Sequence, residues 1–112
     1  MNIIPELSKY KFTFAKFIEW YRSSYSFSPI RCLDVNLFVT TNFKHQLGVL
    51  LEFISLQHIY IIVSDDSFII YKGNNISSRK ILFTKEYPNE TSIMMLYYTA
   101  LIKTFELIEK PF

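Results

Sequence analysis

Apolar residues fall at helical spacing in three stretches of this chain and at strand-like density in three others. Phe14, Phe17, Ile18 and Tyr21 share one helical face, with Lys16, Glu19 and Arg22 on other faces. This predicts a helix over about 13–24 with Thr13 as its cap. Trp20 lies off that stripe, as a second contact face or a lid on the core edge. Ser23, Ser24, Ser26, Ser28 and Pro29 then break the helix, because serine competes for backbone hydrogen bonds and the residue before proline resists helical geometry. Residues 30–40 combine partial alternation with β-branched side chains, which predicts a strand or extended segment, although a short helix also fits.

Thr40, Thr41 and Asn42 are competent caps for a second helix. Its Phe43, Leu47, Leu50, Leu51 and Ile54 make one apolar stripe. Gly48 within it costs about 1 kcal/mol relative to alanine, so close backbone approach by a neighbour is the expected reason for it. His58–Val63 and Ser67–Tyr71 are dense in β-branched and aromatic residues around the polar group Ser64-Asp65-Asp66, the pattern of a β-hairpin. Gly73-Asn74-Asn75 supplies a second turn, and Lys80–Thr84 returns as a third strand. Pro88-Asn89-Glu90 opens a last helix, capped by Asn89, in which Ile93, Tyr97, Ala100, Leu101, Thr104 and Ile108 form one stripe. Met94, Tyr98, Ile102 and Phe105 form another beside it. Pro111 ends regular structure.

The sum is an α+β fold in one domain spanning 1–112: a three-stranded antiparallel meander, with a candidate fourth strand at 30–40, packed by three helices in the order α-(β?)-α-β-β-β-α. Near-continuous apolar strands imply that both sheet faces are covered, one by helices and the other by a second subunit or a further helix.

Composition sharpens the expectation about partners. Half of the 112 residues are hydrophobic and 18% aromatic, with eleven Phe and eight Tyr, more apolar surface than one small core hides. A protein partner is therefore expected, with a homodimer as the default. The surfaces best placed to meet it are Trp20 and Tyr21 on the first helix and Met94, Tyr98, Ile102 and Phe105 on the last. Twelve basic residues oppose ten acidic ones, too even a balance to predict nucleic-acid binding by charge alone. Lys9, Lys11, Lys16 and Arg22, interleaved with aromatic residues, are the candidate nucleic-acid contacts of a less favoured alternative; an amphipathic helix with its aromatics in the core and a solvated cationic face is the favoured explanation of them.

Chemistry is sparse. Cys32, His45 and His58 are the chain's thiol and imidazoles, and nothing in their spacing forces a nucleophilic pair or a metal site. Asp65-Asp66 reads first as a turn. Two glycines do not make a phosphate-cradling loop. No catalytic residue, metal or cofactor is expected, so the protein is not expected to be an enzyme. One cysteine excludes an internal disulfide, and the start Met1-Asn2-Ile3-Ile4-Pro5-Glu6 lacks a basic region followed by a long apolar one, which points to the cytoplasm. No apolar run approaches the ~18 residues of a membrane span. Asn75-Ile76-Ser77 and Asn89-Glu90-Thr91 match the glycosylation sequon and read as chance matches without a secretory signal.

In layout, the stretch from Leu50-Leu51-Glu52-Phe53 through Ile59-Tyr60-Ile61 and Tyr87-Pro88-Asn89-Glu90 to Leu101–Glu109 resembles small uncharacterised proteins of bacteriophages and mobile elements. Those often start the last helix with an acidic pair and alanine, where this chain has Glu90-Thr91-Ser92-Ile93. The resemblance covers roughly the second half and implies a phage-encoded accessory protein or an inhibitor of a host complex, with no catalytic residues to carry over. A small non-enzymatic protein-binding module is the function these observations favour.

Overall fold

In the computed structural model, which describes residues 2–25, 35–73, 78–87 and 91–110, the first long helix is started by a carboxylate from near the other end of the chain. A single turn, α1 (Ile4–Leu7), with Pro5 in its first turn, precedes α2 (Lys11–Tyr25). The open amides at the start of α2 are taken by Glu109, whose carboxylate accepts from the Phe12 amide at 3.2 Å, the Thr13 amide at 2.8 Å and the Thr13 hydroxyl at 2.8 Å. Thr13 is thus a buried first-turn residue rather than the expected cap, and the helix begins two residues earlier than its spacing suggested. The Thr13 amide, then the Thr13 hydroxyl and the Phe12 amide, hold the Glu109 carboxyl below its ordinary value of 4.5 against an opposing desolvation. A depressed folded-state value means that this stabilisation is complete above the unfolded value and lost as pH falls through the folded one. Glu109→Gln should therefore lower the melting temperature at neutral pH, with the two proteins converging in acid. Parallel melting curves across the whole range would rule the charged cap out.

Residues 35–38, expected as strand, form a helical turn, α3 (Val35–Phe38); 26–34, including Cys32 and the serine-rich connection, lie outside the described residues. Here the backbone finds its partners locally. The Thr40 and Thr41 hydroxyls donate to the Leu37 and Phe38 carbonyls at 2.8 and 2.7 Å, and Asn2 Nδ2 donates to the Val39 carbonyl at 2.7 Å. With its carbonyls satisfied this way, the segment needs no ladder, and no fourth strand occurs among the described residues.

Asn42 caps α4 (Phe43–Ser55), its side chain accepting from the His45 amide at 3.2 Å. The buried stripe of α4 is Phe43, Gln46, Leu50, Phe53 and Ile54. Leu47 and Leu51, expected on it, are only half buried, because Gln46 turns the inward face by one residue. Leu50→Ala should cost about 2–5 kcal/mol and Leu51→Ala roughly 1 kcal/mol in denaturant unfolding; equal losses would contradict this helix rotation. Gly48 is exposed, and a Cβ there would meet nothing within 4 Å, so close backbone approach is not its reason. Helix α4 gives way to the sheet through His58, whose φ of 59° lies in the left-handed region that histidine enters more readily than most residues.

The sheet is the expected meander: β1 (Ile59–Val63), β2 (Ser67–Lys72) and β3 (Lys80–Glu86), antiparallel in the order β1-β2-β3. Asp65 and Asp66 sit in the exposed first turn, where the Ser64 amide donates to the Ser67 carbonyl at 2.8 Å. Residues 74–77 of the second turn lie outside the described residues. Helix α5 (Ile93–Glu109) is capped by the Ser92 hydroxyl, which accepts from the Met95 amide at 3.1 Å. The cap expected at Asn89 lies in 88–90, also outside the described residues. Helix α5 packs on β1 and β2 on one side and on α2, α1 and α4 on others, so it is the middle layer, as its two apolar stripes foretold. Its Leu96, Ala100, Leu101, Thr104 and Phe105 are buried.

Candidate functional site

Side chains alternate across a strand, and the cross-strand register says which residues share a face. Ile59, Phe68 and Ile70 are buried on the inner face, against α4 and α5. The outer face carries Tyr60 opposite Tyr71 and Ile62 opposite Ile69, then Thr84 opposite Ile69 and Ile81 opposite Tyr71 on the next strand. Ile81 is 60% exposed, Ile62 39% and Tyr60 37%. No helix among the described residues covers this face. Its centre is a shallow depression of about 100 Å³ between Ile62, Ile69, Tyr71, Arg79 and Ile81.

Two features shape the surface. A β-bulge at Ile70/Tyr71 places Leu82 out of register and turns Ile81, which regular pairing would send inward, to the outer face. Tyr60 and Tyr71 stack with centroids 5.5 Å apart and planes at 29°, and the Arg79 guanidinium lies over the Tyr71 ring at 5.2 Å. At the opposite end of the face, Glu86 pairs across from Ser67, next to the Asp65-Asp66 turn. The face is therefore apolar in the middle, cationic at one end and anionic at the other.

The residues expected to meet a partner are placed differently. Tyr21 and Phe105 are 2% and 0% exposed and belong to the core, which removes them as surface. Trp20 is half buried on Phe17 and Phe53, at centroid distances of 6.1 and 5.6 Å, the lid of the two options its position left open. Met94, Tyr98 and Ile102 are half buried against the core; Tyr98 meets Phe43 edge-on at 5.3 Å, and burial pushes its hydroxyl above its ordinary value. The second stripe of α5 is thus covered largely from within the chain, because α1 and α4 occupy that side.

Nor do the candidate nucleic-acid contacts converge. Lys9 is paired with Glu6 at 2.9 Å, an exposed bridge that raises the lysine by hydrogen bonding and charge. Lys16 sits over the exposed Phe12 ring at 4.7 Å. Lys11 and Arg22 share a side of α2 from which Lys16 is rotated by roughly 140° at 100° per residue.

A second concavity, of about 430 Å³, opens where the sheet meets the end of α5, between Ile59, Lys72, Lys80, Leu107 and Ile108. Lys72 and Lys80 are directly opposed. Like charges placed so are costly. Among the described residues no three His, Cys, Asp or Glu side chains gather as a metal site, and no helix is long and apolar enough to cross a membrane. Cys32 lies outside the described residues.

The strands' apolar density was the signal for the outer face, but the sequence pointed to no particular residues there, since which alternate set faces α5 depends on register. No protein-family model, curated protein or solved structure matches this chain. What fold and surface define is a small α+β module with an apolar sheet face left uncovered among the described residues.

Proposed function

We propose that this protein is a non-enzymatic, cytoplasmic protein-binding module that docks through the outer face of its sheet, in keeping with an accessory or inhibitory role such as small phage proteins play. The observation that carries this reading is the contiguous set Tyr60, Ile62, Ile69, Tyr71 and Ile81, apolar and open on a face that no helix among the described residues covers. Clustered exposed apolar side chains with a polar rim mark interaction sites, and stacked tyrosines beside an arginine are the residue types that anchor them. The nucleic-acid alternative has less support, because Lys9 is paired with Glu6 and Lys16 lies on a different side of α2 from Lys11 and Arg22.

Selection of binders from a random peptide library on the immobilised protein tests the reading. Enriched peptides should lose binding to Ile62→Lys/Ile81→Lys and keep it to Lys11→Glu/Lys16→Glu, a pair that should change stability by no more than about 0.5 kcal/mol per site. Peptides indifferent to the outer-face substitutions would overturn it. Tight binding of mixed-sequence single-stranded DNA at physiological salt, lost in the double Glu variant, would replace it with the nucleic-acid function.

A further inference from the structure

We infer that the occupant of the outer sheet face is a second copy of this chain, related by a two-fold axis that lies between the sheets and runs across the strands; this rests on the docking reading above and specifies its partner. The argument is the charge polarity of the face. Arg79 and Glu86 both belong to the β3 side of the sheet, seven residues apart, or about 23 Å at a rise of about 3.3 Å per residue. Each lacks an oppositely charged partner among the described residues. A two-fold axis across the strands lays β3 over β3 in opposite directions. The Arg79 of one copy then lies over the Glu86 of the other, and the symmetry repeats the pair. An axis along the strands brings like ends together instead, with the Asp65-Asp66 turn of one copy beside Glu86 of the other.

Sheets packed face to face splay by about 30° at a spacing of about 10 Å. At these strand ends that is a sideways offset of about 6 Å, within reach of an arginine side chain. Between the paired ends the apolar sets face each other in reversed order, Tyr60 over Ile62, Tyr71 over Ile69 and Ile81 over Thr84 of the other copy. Three strands make a face of roughly 300 Å² in projection, well below the ~800 Å² per partner of a standard interface. The dimer is accordingly a weak, reversible one in the micromolar range.

Sedimentation velocity over micromolar to millimolar concentration, with circular dichroism to confirm folding, provides the test. The wild type should pass from monomer to dimer. Arg79→Glu and Glu86→Arg, each of which replaces two attractions by two repulsions, should weaken self-association about tenfold or more. An equimolar mixture of the two should dimerise again, because every contact then pairs Glu with Arg, and the double variant should recover alone. Because losing Arg79 also uncovers Tyr71, Arg79→Gln mixed with wild type gives a milder second series, expected between the extremes. Single variants that associate like the wild type, or a mixture that stays monomeric, would overturn this arrangement. A wild type that remains monomeric while selected peptides still bind the outer face would overturn the dimer and leave the docking reading intact.

Discussion

Gln46→Leu is expected to destabilise the protein by about 2–5 kcal/mol although it keeps nearly the same volume in the same place. Gln46 is fully buried. Its Nε2 donates to the Thr41 carbonyl at 2.9 Å, to Asn2 Oδ1 at 3.0 Å and to the Phe38 carbonyl at 3.2 Å, while its Oε1 accepts from the Ile3 amide at 3.3 Å. One side chain thus joins the start of the chain, the α3 turn and α4. Leucine would leave the Ile3 amide buried and unpartnered and deprive the half-covered Thr41 carbonyl of its Gln46 donor, each at about 1–3 kcal/mol, whereas the Phe38 carbonyl keeps the Thr41 hydroxyl and amide and Asn2 Oδ1 keeps the Ile4 amide. Guanidinium unfolding measures the difference. A loss below about 1 kcal/mol would mean that water enters and replaces the network.

Phe17→Ala should be at least as severe, at about 3–5 kcal/mol. The Phe17 ring is fully buried at the centre of a cluster, with Phe53 at 5.2 Å and Phe105 at 6.4 Å edge-on, Phe38 at 5.9 Å, and Phe14, Trp20 and Tyr21 at 6.1 to 6.2 Å. Those rings come from α2, α3, α4 and α5, so collapse around the cavity would require four elements to move together. Against a total stability of about 5–15 kcal/mol for a domain of this kind, the loss leaves little margin. The near-ultraviolet dichroism of the neighbouring tyrosines and tryptophan should weaken along with the unfolding midpoint. A cost under about 1.5 kcal/mol would show that the aromatic cluster repacks freely.

Where local pattern governed, the sequence was legible. The stripe of Phe14, Phe17 and Tyr21 marks α2, the paired strands around Ser64-Asp65-Asp66 mark the hairpin, and the double stripe of α5 foretold a helix buried on more than one side. It misled where tertiary partners decide. A polar Gln46 does not read as core, so the apolar spacing of α4 puts Leu47 and Leu51 on the stripe beside Phe43, Leu50 and Ile54. Thr13 reads as a cap until Glu109, far away in sequence, supplies one. Residues 35–38 alternate like a strand, but the Thr40 and Thr41 hydroxyls and Asn2 close them into a turn. The surface was legible only in outline. A surplus of aromatics said that something apolar stays exposed, but the buried stripe of α5 took up Phe105 and part of its neighbours, and a single bulge decided that Ile81 faces outward.

The carboxylate that starts α2 bears on how the molecule can be made. Synthesis proceeds from the N-terminus, so α2 leaves the ribosome with its first amides open and Phe17 without Phe105, and both defects persist until α5 has emerged through Glu109. Contacts between residues 96 and 97 positions apart carry a high loop-closure cost that only the assembled core repays. The nascent chain consequently shows an aromatic, unpartnered segment until α5 has emerged, a binding site for chaperones and a route to aggregation. Chains stalled before residue 93 should remain sensitive to protease along α2, whereas chains extended so that Glu109 clears the ribosome should become resistant in a single step.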